Sequence, residues 1–239
     1  MSAADHQPKI APSDISGYFD DCAGIWDRNY GSAGAMRGRI ALFGNALKER
    51  TVGSVQVLDF GCGSGQISIG CHDLGYRMSG CDISPRMVET AKANAGTRAI
   101  DFAALPVGSN PQLPYEDDRF DAAIASSVFE YVADPGPWLN ELSRVLRPGG
   151  WLLLTVPDMR HPVRSAENDL LVRYRRWPMR LLISVSPRRL PWRARYDYLR
   201  LSVNRASLEQ WAAWLRDAGF SPEPAPACDG PLVLIAGRR

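Results

Sequence analysis

Apolar positions along the chain fall into two alternating kinds of run. Short β-rich stretches, Val55–Phe60, Tyr76–Cys81, Ala99–Ala103, Phe120–Ala125, Trp151–Val156 and Leu232–Ala236, read as strands. Between them, helical spacing covers Gln66–Leu74, a segment opening at Ser84-Pro85 and running to about Ala95, and a segment near Pro137–Leu146. Ser84 suits an N-cap and Pro85 the first helical position. Ser207-Leu208-Glu209-Gln210 has the form of a capping box ahead of a helix with Leu208, Trp211, Ala212 and Leu215 on one face, closed by Gly219. Arg147-Pro148-Gly149-Gly150 reads as a turn. Strands alternating with helices predict a doubly wound α/β domain with a mostly parallel sheet covered on both faces.

The two ends of this pattern differ from its middle. Residues 1–13 are polar, with two prolines, and read as a frayed tail. From Asp14 to about Arg50, Met36, Ile40, Phe43 and Leu47 mark one helical face, while Gly17, Gly24, Gly31 and Gly34 divide the earlier part into short helical pieces. Residues 1–50 are therefore read as a tail and helical lid, and 51–239 as the main domain. Within that domain, 158–206 form an insert after the fifth strand. There, Leu170, Tyr174, Trp177, Leu181 and Val185 recur at helical spacing, and Pro178 splits them into two short helices.

Length and composition narrow the class. The 239 residues suit one large domain, and 45% hydrophobic with 23% charged residues is ordinary globular usage. No apolar run reaches the ~18 residues needed to cross a bilayer, and the first residues lack the basic and apolar regions of a signal peptide. The expected location is cytoplasmic, with attachment to the inner membrane face left open. The five cysteines are dispersed and contain no C-x-x-C pair, so they read as reduced core thiols and not as a zinc site.

Charge changes this picture. The overall balance of +2 divides into 13 Lys and Arg against 19 Asp and Glu over residues 1–159, and 15 Arg against 7 acids over 160–239. The basic part is densest in the insert, with eleven Arg at 160–200. Three readings follow for residues 168–200. They can form a lid with a solvated Arg face, an amphipathic segment on anionic lipid, or an Arg pocket for an acidic substrate group.

Asp59-Phe60-Gly61-Cys62-Gly63-Ser64-Gly65 carries the main chemical signal. Glycines let a strand turn tightly into a helix and let backbone approach a ligand, and the helix start offers free N–H donors. The spacing is G-x-G-x-G. The dinucleotide pattern G-x-G-x-x-G wants glycine where Gln66 stands, which disfavours a nicotinamide oxidoreductase. Asp82, at the tip of the second strand, sits where a carboxylate can take both hydroxyls of a ribose.

With these residues in view, Val57–Gly65 resembles the first motif of class I S-adenosylmethionine-dependent methyltransferases. The likeness continues through Cys81–Met87, Leu113-Pro114-Tyr115 with Arg119-Phe120-Asp121, Val128–Val132 and Leu146–Gly150. Tyr18–Asp27 is similar to the opening of the ubiquinone and menaquinone methyltransferase group. The resemblance implies a seven-stranded Rossmann-like sheet with S-adenosylmethionine as cofactor and the insert as a lid over the acceptor. It implies Asp59, Gly61, Gly63 and Gly65 around the cofactor, Asp82 on its ribose and Ile83 beside its adenine, with Ser126 and Tyr18 as further contacts. Asn110 stands near the place of the acidic residue that reads the adenine amino group in the family, and Asp101 is its rival.

The activated donor leaves little for a base to do, because alignment alone supplies ~7–11 kcal/mol. Glu130, Tyr131 and His161 are the catalytic candidates, with Tyr18 and Tyr30 beside them. Ser126-Ser127-Val128-Phe129 lacks the Pro-Pro motif of nucleic-acid amine methylases, and no cysteine lies between Cys81 and Cys228 to attack a cytosine, so no nucleic-acid partner is expected. The expected substrate is a small hydrophobic or aromatic acceptor, methylated on oxygen, with ring-carbon methylation or a non-catalytic cofactor-binding scaffold as alternatives.

Overall fold

The computed structural model describes residues 11–30, 34–108, 111–186 and 190–239. Most of the frayed tail read from residues 1–13 lies outside them. The strands are β1 (Gln56–Phe60), β2 (Arg77–Asp82), β3 (Asp101–Ala104), β4 (Phe120–Ser126), β5 (Leu146–Pro157), β6 (Ser221–Pro222) and β7 (Leu232–Arg238). They form one sheet in the order β3-β2-β1-β4-β5-β7-β6. The first five in that order are parallel, and β7 runs antiparallel between β5 and β6. The expected doubly wound, seven-stranded, mostly parallel sheet is present. Sheet order reverses between β1 and β4, which opens a crevice at the carboxyl ends of the strands.

Successive residues of the central strands serve opposite layers. Val57, Ala122, Ile124 and Leu153 pack on one face with Phe43, Leu47, Ile67 and Cys71, from α2 (Ala35–Arg50) and α3 (Gln66–Asp73). Leu58, Ala123, Ala125 and Leu154 pack on the other with Leu139, Leu142, Trp211 and Leu215, from α5 (Gly136–Val145) and α9 (Leu208–Asp217). Burial on both faces is why these strands read as continuous apolar runs. The capping expectations hold: Ser84 Oγ accepts the Met87 N–H at the start of α4 (Pro85–Ala95), and Ser207 Oγ accepts the Gln210 N–H at the start of α9.

Three features differ from the sequence expectation. First, α1 (Pro12–Tyr30) is one helix, continuous through Gly17 and Gly24. A helical glycine costs roughly 1 kcal/mol, and polar contacts from Ser16 and Asp20 to the β2 tip, with ring packing by Phe19, offset it. Second, the described residues of the insert form three helices, α6 (Pro162–Arg175), α7 (Met179–Val185) and α8 (Pro191–Leu201). Pro191 opens α8 in the first helical turn, where proline is favoured, and Leu199 and Leu201 are buried. Third, Arg147–Gly150 is an excursion within β5. Phe120 pairs with Leu146 and Ala122 with Trp151, so the intervening residues bulge out, with Gly149 at φ +81.

Ion pairs tie the insert's own helices together, and a backbone hydrogen bond joins its end to the segment after β4. Buried Glu167 receives Arg164 Nη1 at 2.9 Å and Arg205 Nη1 at 3.1 Å, with Arg195 Nη2 at 3.2 Å. Asn204 N donates to the Glu130 carbonyl at 2.9 Å, just beyond β4. Among the described residues, no helix is long and apolar enough to cross a membrane.

Candidate functional site

Gly61 and Cys62 leave β1 with their N–H groups donating to the Cys81 carbonyl at 2.7 and 3.0 Å, which binds the turn to β2. Gly61 has φ +73, and a Cβ there would collide with Val128. Gly63, at φ +53, would meet nothing within 4 Å, so its bare backbone borders open space. Gly65 serves another purpose. It is the left-handed residue that starts α3, and a Cβ there would approach Ala91 Cβ to 2.9 Å, so it lets α3 lie close against α4. It does not line the cavity described next.

A cavity of about 450 Å³ lies over the carboxyl ends of β1, β2 and β4, beneath α1. On the β1–β2 side its wall includes Asp59, Gly61, Gly63, Asp82 and Ile83. On the β4 side it includes Ser126, Glu130 and Tyr131, with Met36 and Arg39 from α2 and Tyr198 from α8. Ile15, Phe19 and Trp26 of α1 complete the enclosure.

Two carboxylates dominate the β1–β2 side. Asp82 Oδ2 accepts the Gly63 N–H at 2.8 Å and Oδ1 accepts the Ser84 N–H at 2.9 Å, so the acid is oriented by the loop it faces. Burial pushes its carboxyl above the usual range, against these two bonds. Asp59 is 1% exposed. Its Oδ2 accepts from Ser68 Oγ at 2.5 Å, while its buried Oδ1 has no partner among the described residues. Burial pushes Asp59 up to about 7, opposed by the Ser68 bond and raised further by Asp82.

The remaining sequence candidates separate clearly. Glu130 and Tyr131 lie on a single 3₁₀ turn, Phe129–Tyr131, and both line the cavity. Glu130 Oε2 accepts from Ser202 Oγ at 3.1 Å, and burial raises its carboxyl pKa. Tyr131 stacks edge-on against Phe19 at 5.2 Å and Tyr198 at 6.3 Å, and burial raises its phenol. Tyr18 is half-buried but does not line the cavity; its neighbour Phe19 does. His161 lies away from the cavity, where its Nδ1 accepts the Val163 N–H and caps α6. Asp101 is exposed at the start of β3. Asn110 and the Tyr30 side chain lie outside what is described, although Gly108 and Pro111 flank the cavity.

Residues that sequence reasoning missed come mainly from the helices. Met36 and Arg39 reach the cavity from α2, Trp26 from α1 and Tyr198 from α8. Arg39 Nη1 donates to Ser126 Oγ at 3.1 Å. The apolar spacing of α2 was readable, but it places Arg39 between core positions with nothing to mark it.

An adenosyl sulfonium fits this cavity on three observations. Glycine backbone borders open space at residue 63, an oriented carboxylate stands at the β2 tip, and an unpartnered carboxylate oxygen at Asp59 suits a cationic ligand. Comparisons with known proteins agree. A family model for the methyltransferase domain matches residues 58–154. Demethylmenaquinone methyltransferase of Paenarthrobacter aurescens is 30% identical over 227 residues, spanning 94% of this chain and 85% of that protein. Ubiquinone biosynthesis O-methyltransferase of Caulobacter vibrioides is 33% identical over 94 residues, or 39% of this chain and 37% of that one. The fold matches crystalline magnesium protoporphyrin IX methyltransferase from Synechocystis PCC 6803 with bound SAH, at TM-score 0.68 and 17% identity over 95% of this chain and 99% of that chain. Glycine turn, sheet order and relatives converge: the chain belongs to the class I S-adenosylmethionine-dependent methyltransferases, with S-adenosylmethionine as its cofactor.

Proposed function

We propose that the enzyme methylates a small aromatic acceptor of quinone or secondary-metabolite type, with transfer to oxygen favoured. The observation that carries this reading is the apolar wall opposite the glycine turn, formed by Phe19, Trp26, Met36, Tyr131 and Tyr198. Three rings meeting edge to face make a slot suited to another ring. The names of the two relatives above support the same class of acceptor.

In this reading Gly61 and Gly63 border the methionine part of the cofactor, Asp82 takes the ribose hydroxyls and Ile83 flanks the adenine. Asp59 presents negative charge on the same side. The bound cofactor supplies a methyl group on positively charged sulfur. The protein holds the acceptor ring in line with it, excludes water with α1, and so supplies most of the needed acceleration by alignment. Glu130 is occupied by Ser202, and Tyr131 is held as a neutral phenol, so both are read as positioning groups on the acceptor side. His161, distant from the cavity, has no part in this proposal.

The reading extends to a surface. α7 and its flanks expose Trp177, Leu181 and Val185 beside the exposed Arg173 and Arg176. Apolar side chains among arginines favour contact with an anionic membrane surface, where prenylated acceptors reside.

Incubation with methyl-labelled cofactor and a panel of catechols, prenylated hydroquinones and aliphatic amines tests the proposal. Carbon NMR of the products is expected to show an O-methyl signal on an aromatic acceptor. A label on ring carbon would favour C-methylation of the same acceptor class, and a label on the amines alone would overturn the aromatic acceptor.

A further inference from the structure

Arg39 is the one arginine among the described residues that lines the cavity. Its setting differs from that of the basic insert. Arg164, Arg195 and Arg205 are engaged by Glu167, and from residues 160–200 only Tyr198 reaches the cavity wall among those described. Arg39 is delivered by α2, whose Phe43 and Leu47 are buried in the core while Met36 and Arg39 face the end of β4.

A guanidinium has five N–H donors in a rigid fork. At Arg39 the described structure assigns one hydrogen bond, to Ser126 Oγ, and no ion pair. Arg39 is half-buried and lines the cavity with Phe19, Met36, Tyr131 and Tyr198, so an anion entering there meets a cation in partly desolvated surroundings. The nearby carboxyl of Glu130 accepts from Ser202 Oγ and is shared electrostatically among Arg164, Arg205 and Arg39, with no direct ion pair to Arg39. Next to Ser126, Ser127 lines the same cavity in a left-handed backbone conformation, φ 56, with its buried hydroxyl unpartnered among the described residues. A strained polar residue beside a cavity-lining cation is the pattern of a ligand clamp.

We infer that Arg39 is the specificity residue for an anionic oxygen on the acceptor ring, a carboxylate or a phenolate. The inference rests on the proposed reading that the β4 side of the cavity holds the acceptor. It explains why no base is needed there: a guanidinium fork admits the acceptor already ionised. It also moves the acid-recognising arginine from the insert to α2.

Calorimetric binding of three probes to the enzyme loaded with SAH tests this. The probes are 4-hydroxybenzoate for the carboxylate, 4-nitrophenol for the phenolate and methyl 4-hydroxybenzoate as the neutral control. The wild type is expected to prefer at least one anionic probe over the ester by about tenfold or more, the scale of one charged hydrogen bond. Arg39→Met should erase the preference while leaving SAH and ester binding intact, and Arg39→Lys should retain part of it. If 4-nitrophenol is the preferred probe, its ionised absorption band should appear at lower pH in the wild-type complex than in Arg39→Met. Equal affinity of the wild type for all three probes, absence of anionic-probe binding, or a preference that survives in Arg39→Met would overturn the inference. Failure of the wild type to bind SAH would instead strike the cofactor reading.

Discussion

Ser64 Oγ donates to Asp27 Oδ1 at 2.6 Å, joining the glycine turn to α1 across 37 positions of sequence. Asn94 of α4 donates to the other oxygen of the same carboxylate at 2.8 Å. Nearer the start of α1, Asp20 accepts from Ser84 Oγ, and Ser16 Oγ donates to the Ile83 carbonyl at 3.1 Å. The helix that roofs the cavity is thus latched to the same two loops whose backbones form its floor.

Asp27→Ala should therefore accelerate SAH dissociation by about tenfold, the scale of one or two hydrogen bonds to a charged group. Amide exchange should rise across residues 12–30 while the central strands stay protected. Stopped-flow release and hydrogen exchange measure the two effects. Unchanged dissociation in Asp27→Ala would show that α1 does not gate the cavity.

Asp59 gives a pH dependence with opposite signs for stability and binding. Its carboxyl is raised by burial from 3.8 to about 7, so the folded state favours the protonated form. That contribution to stability is complete below about pH 4 and is lost as pH rises through about 7. Asp59→Asn should flatten this part of the profile and make the ligand-free protein more stable at pH 8, as read by thermal unfolding. Binding of the cationic cofactor should run the other way in the wild type, tightening as Asp59 ionises near pH 7, and Asp59→Asn should remove that rise. A wild-type binding profile flat from pH 6 to 8 would contradict the placement of Asp59 against the cofactor's charge.

The α7 surface predicts salt-sensitive membrane binding. Trp177 is 79% exposed and Val185 74%, with exposed Arg173 and Arg176 nearby. Flotation with anionic liposomes should succeed at low salt, weaken at high salt, and drop when Trp177 is changed to Ser or when Arg173 and Arg176 are changed to Ala. Equal recovery with neutral liposomes, or with the variants, would remove the membrane from the account.

Much of this was legible because the informative residues carry a local constraint. Gly61 must be glycine, since a Cβ would strike Val128, and Asp82 must end a strand to face Gly63; both leave a readable spacing. Gly65 belongs to the same motif, yet its role is packing of α3 on α4, which spacing alone does not separate from ligand contact. The α/β alternation was readable because strands buried on both faces are continuously apolar. β6 has only two residues and leaves no periodic signal.

Other parts depend on tertiary contacts that no window of sequence contains. α1 reads as broken because its glycines lower helix propensity, whereas contacts to the β2 tip and Tyr131 hold it together. His161 beside Pro162 resembles a free loop histidine, but its ring caps α6. Arginines are densest at residues 160–200, while among the described residues the cation lining the cavity is Arg39, one unmarked polar position on an otherwise ordinary helix.

The central claim is that the turn at Gly61–Gly63 and the carboxylate of Asp82 together bind the adenosyl cofactor. Calorimetric titration of SAH into the wild type and Asp82→Ala, with circular dichroism to establish that both are folded, tests it most directly. Saturable one-to-one binding by the wild type, weakened about 10- to 100-fold in Asp82→Ala, is the predicted result. No binding by folded wild-type protein, or the same affinity in both, would contradict it.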